Sequence, residues 1–79
     1  MGVMDMDALT AAFRSHTEGA SKFTRRMAIN LAAMDGTSPR ELVLRLERLG
    51  LVRPGTWDWF AANGGITRDH IAEVRGEMQ

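Results

Sequence analysis

A chain of 79 residues, 44% of them apolar, has material for one small core, so residues 1–79 are expected to form a single domain. It contains no Cys, which excludes a disulfide scaffold and a thiolate zinc site. No run approaches the roughly 18 apolar residues of a membrane span, and no basic-then-apolar leader is read at the start. The formal charge is zero, yet it is unevenly spread: residues 1–13 carry −2, residues 14–53 carry +4 and residues 54–79 carry −2. A basic middle therefore lies between two acidic ends.

The apolar spacing predicts an all-α fold, a compact bundle of about five short helices. The first is expected over Met4 to Ser15, capped by Asp5 or Asp7, with Met6, Leu9 and Phe13 at spacings of three and four. A polar connector containing Gly19 follows. Ser21 reads as the cap of a second helix that runs to Met34 with a stripe of Phe23, Met27, Leu31 and Met34, stopped by Asp35-Gly36. Ser38, Pro39 and Glu41 give the third helix a capping box with Pro at its first position, and Leu42, Leu46 and Leu49 form its stripe. Gly50-Leu51 ends it. Thr56 reads as the cap of a short aromatic helix, Trp57 to Ala62, closed by Asn63-Gly64-Gly65. Ile66 and Thr67 then staple and cap a last helix carrying Ile71, Val74 and Met78. The expected core, one cluster, joins Phe13, Phe23, Met27, Leu31, Leu42, Leu46, Leu49, Trp57, Ile66, Ile71 and Val74.

Phe23 to Val52 resembles a helix-turn-helix unit: a helix, an Asp-Gly-Thr turn and a capped second helix ending in Leu49-Gly50-Leu51-Val52. The resemblance implies that the second helix enters the major groove of duplex DNA, and that the protein regulates transcription as a homodimer on two half-sites. The turn is one residue longer than the usual tight form, and Thr37 stands where an apolar residue normally follows the turn Gly. The same pattern also describes a capped helical hairpin that only builds a core.

On a wheel of the third helix, Arg40, Leu44, Glu47 and Arg48 oppose the Leu stripe. Arg40 and Arg48 suit phosphates or guanine edges, and Leu44 suits a thymine methyl. Glu47 fits that stripe only if it reads a cytosine amine. An outward Leu between both charge signs equally describes a protein-docking face, or a residue covered by the first or last helix. On the second helix, Lys22, Arg25, Arg26 and Ile29 are expected on the outer face. The candidate binding set is Lys22, Arg25, Arg26, Arg40, Leu44, Arg45, Glu47 and Arg48, gathered into one basic patch. A secondary partner face is read at Trp59 and at Asp69, Glu73 and Glu77, which recur every four residues.

Catalysis has little support. His16 and His70 sit in different elements, and no phosphate loop, HExxH pair or nucleophile elbow occurs. No cofactor, metal or small-molecule substrate is expected. In size and bipolar charge the chain is also similar to small phage anti-CRISPR proteins, which implies an interaction protein that inhibits a CRISPR effector complex. Either reading implies the cytoplasm of a bacterial or phage-infected cell, and a partner that is duplex DNA or a protein of a nucleic-acid machine.

Overall fold

The computed structural model describes residues 4–20 and 22–77, without the side chains of Arg75 and Glu77. Five helices follow one another: α1 Met6–Thr17, α2 Arg25–Asp35, α3 Pro39–Arg48, α4 Thr56–Ala62 and α5 Arg68–Glu77. Among the described residues there is no strand, and no helix is long and apolar enough to cross a membrane.

The caps explain most of the boundaries. Asp5 Oδ1 accepts the Ala8 N–H at 2.7 Å and starts α1. Residue 21, read as the cap of the second helix, lies outside the described residues. The helix begins at Arg25, where Thr24 takes the Met27 N–H at 3.3 Å and Met27 Sδ takes the Thr24 N–H in return. The thioether thus completes a box usually built with Glu or Gln. Gly36, at φ 76°, closes α2, and Ser38 Oγ accepts the Glu41 N–H at 3.2 Å to open α3. Thr67 Oγ1 accepts the His70 N–H, and His70 Nδ1 accepts the Thr67 N–H, so a His fills the Glu role at α5.

At α4 the expectation fails. Thr56 lies inside the helix, and the cap position belongs to Gly55, at φ 89°, which supplies no side-chain bond. Glu47, reaching over from α3, accepts the Gly55 N–H at 2.7 Å and the Trp57 N–H at 3.1 Å. A carboxylate from a neighbouring helix does the work that Thr56 was expected to do.

Among the described residues the core forms two clusters rather than one. Leu9, Leu31, Ala32, Leu42 and Leu46 make the first, flanked by Phe13, Leu49, Leu51 and Val52. Ala28, Val43 and Phe60 make the second, flanked by Trp57 and Ile66, and Phe23 packs against both. Every residue of the expected core is buried or half-buried. The stripe of α2, however, is turned from its expected position: Met34 is 50% exposed, whereas Ile29, expected outside, is 2% exposed. The reason is position in the bundle. Helix α2 packs against α1, α3 and α5, so most of its circumference is covered and no open outer face remains where Ile29 points.

Candidate functional site

Helix α3 is fixed from behind by Leu42, Val43 and Leu46, each fully buried. It packs chiefly on α2 and α4. Arg40 and Arg48 are exposed on the opposite side, with Leu44 half-buried between them. The three stand four residues apart, so they form one stripe about 12 Å long. Leu44 and Arg48 also line a shallow cleft with Asp35, Thr37, Glu41 and Arg45.

Two charged residues read as part of that surface are committed to the fold. Asp35 is 1% exposed. Its carboxylate accepts the Met4 N–H at 2.7 Å, the Thr37 hydroxyl at 2.9 Å and Arg45 Nη1 at 3.1 Å. The second guanidinium nitrogen of Arg45 donates to the Met4 carbonyl. Arg45 therefore neutralises a buried carboxylate and clamps the start of α1 to the α2–α3 turn, an arrangement that a free phosphate-binding arginine does not adopt. Glu47 is likewise held by α4 and is not positioned as a reader of cytosine.

The residues read on α2 do not join the α3 stripe into one patch. Arg25 Nη2 donates to the Asn63 carbonyl at 3.0 Å and stands against Gly64, tying α2 to the end of α4. Arg26 is exposed. Lys22, also exposed, lines a second and larger concavity of about 980 Å³ that shares no lining residue with the α3 cleft. What remains open of the candidate set on α3 is Arg40, Leu44 and Arg48.

The larger concavity was not foreseen. Its walls come from the end of α1, the segment before α2, the loop after α3 and α4, and include Phe13, Phe23, Val52, Arg53 and Trp59. A row of rings runs along it: Phe13 to Phe23 at 5.6 Å, Phe23 to Phe60 at 6.1 Å and Phe60 to Trp59 at 5.6 Å between centroids. Phe60 is buried and Trp59, at the end of the row, is 60% exposed. The sequence signal was present in Trp59 alone, because the other rings lie in three separate elements. Of the acidic face, Asp69 and Glu73 are exposed on α5 and take no part in this groove, and the Glu77 side chain lies outside the described residues.

Among the described residues no group of three or more His, Cys, Asp or Glu could hold a metal ion. Compared with family models, curated proteins and solved structures, the chain gives no match.

Proposed function

We propose that the protein is a small helix-turn-helix DNA-binding regulator that presents the outer face of α3 to the major groove. The single observation that carries this reading is the Arg40–Leu44–Arg48 stripe, exposed or half-buried on a helix whose other side is locked into the core. Arginines at the two ends reach phosphates or guanine edges, and the Leu between them meets thymine methyl groups. Glu41, exposed near the start of the same helix, disfavours close phosphate approach on its side and so restricts the docking angle. Arg45 and Glu47 support the reading only indirectly, by fixing α3 against the turn and against α4.

A second reading is favoured by the aromatic groove and its exposed Trp59: a phage or mobile-element interaction protein of anti-CRISPR type, docking on a protein of a CRISPR effector complex. Binding to random duplex DNA, titrated with salt, separates the two. DNA binding must weaken steeply as salt rises, and each of Arg40→Ala and Arg48→Ala should flatten the logarithmic slope by about one unit. Wild-type protein that fails to bind duplex DNA at low salt overturns the regulator.

A further inference from the structure

Helix α3 carries two acids, and the fold treats them differently. Glu47 is spent on the N–H groups of α4. Glu41 is exposed in the first turn. Its backbone N–H goes to Ser38 Oγ, but its carboxylate does not return the bond expected of a capping box. Among the described residues that carboxylate accepts no hydrogen bond and joins no ion pair. Arg45, four residues on and so within reach of Glu41 along the helix, is taken by Asp35 instead.

The position of Glu41 gives this uncommitted charge a direction. At about 100° per residue it lies roughly 20° from Arg48 and roughly 60° from Leu44 around the helix, within the open face. It lines the shallow cleft together with both of them. Docking this face in a major groove therefore brings the carboxylate to the base edges. Guanine N7 and O6 and thymine O4 repel it there, and the adenine amine stands beside the N7 acceptor. Cytosine differs, because its N4 amine presents a donor and no acceptor. A carboxylate at this point penalises the other bases, which lowers non-specific affinity and raises discrimination.

We infer that Glu41 is a specificity-determining residue that accepts a hydrogen bond from a cytosine N4 amine, next to the thymine met by Leu44. The spacing fits: three residues rise about 4.5 Å along a helix, close to the roughly 3.4 Å between stacked bases. The inference rests on the DNA reading and adds to it the base that the acid selects.

Selection of binding sites from a random-sequence duplex pool tests this. Wild type should enrich sites that hold cytosine beside thymine. Glu41→Gln should exchange that cytosine for adenine, whose N6 and N7 suit an amide, and leave the other positions as they were. Glu41→Ala should lose the preference at that position only. On the selected duplex, replacing the cytosine pair should cost wild type about tenfold in affinity and Glu41→Ala less than about twofold. Glu41→Ala should also bind random duplex more tightly than wild type, because one carboxylate is gone. Damage to the fold cannot exchange one base for another, and the Ser38 cap survives both substitutions because it uses the backbone N–H of residue 41. Glu41→Ala that selects the wild-type sequence at every position, cytosine included, overturns the inference and leaves the regulator standing. So does a wild-type site with no fixed cytosine. If Glu41→Ala fails to fold, Glu41→Gln decides alone, and unchanged selection overturns the inference. Wild type that binds no duplex at low salt overturns the regulator and this inference together.

Discussion

Two charged side chains in the last turn of α3 anchor it in opposite ways. On one side a buried ion pair ties the helix to the turn that precedes it: Asp35, covered on all sides, takes Arg45 together with the Met4 N–H and the Thr37 hydroxyl. On another side Glu47 is only half-buried and serves as the missing cap of α4. Each anchor is a single charged side chain linking α3 to another element. They differ in what is left behind when the link is cut. Removing Arg45 strands a carboxylate away from water, whereas removing Glu47 frees two backbone N–H groups near the surface, which water can satisfy.

The contrast can be broken by substitution, and its largest effect belongs to the buried pair. Arg45→Met should destabilise the protein by about 3–5 kcal/mol, because Asp35 keeps its burial and loses its countercharge. That is a large share of the stability of any small domain, and urea denaturation measures it. A loss below about 1 kcal/mol would mean that Asp35 reaches solvent. Glu47→Ala should cost less, about 1–2 kcal/mol, and its effect should be local: faster hydrogen exchange at Gly55 and Trp57, with α2 and α3 amides little changed. Uniformly faster exchange across the molecule would show that α4 does not open separately. Smallest of the three, Ser38→Ala should cost about 1 kcal/mol, since it removes one exposed N-cap bond and strands no charge. A thermal melt that does not move would show that water replaces the hydroxyl in full.

Much of the architecture was legible in the order of residues. Five helices, their approximate limits, the Asp5, Ser38 and Thr67 caps and the burial of Leu31, Leu42 and Leu46 follow from local spacing, because capping bonds and 3.6-residue periodicity involve neighbours in the chain. Trp59 was only partly legible, read as a partner face, and the covered Phe60 beside it was not in the expected core. The candidate site was legible only in outline. Arg40 and Arg48 point outward as the wheel of α3 requires, and Leu44 sits between them.

Tertiary structure decided the rest, and the physical reason is the same at each point. A side chain's periodic position says which way it leaves its own helix, but what it meets depends on elements far along the chain. Met4 is 41 residues from Arg45, and Asn63 is 38 residues from Arg25. Those contacts turned two expected surface cations into ties within the fold, just as packing on three neighbours drew Ile29 inside. The aromatic row depends on distance in space even more fully, since its rings come from α1, the segment before α2 and α4. Composition and spacing set the helices and most of their inner faces. Only the assembled bundle separated the charges that hold the fold from those left facing outward.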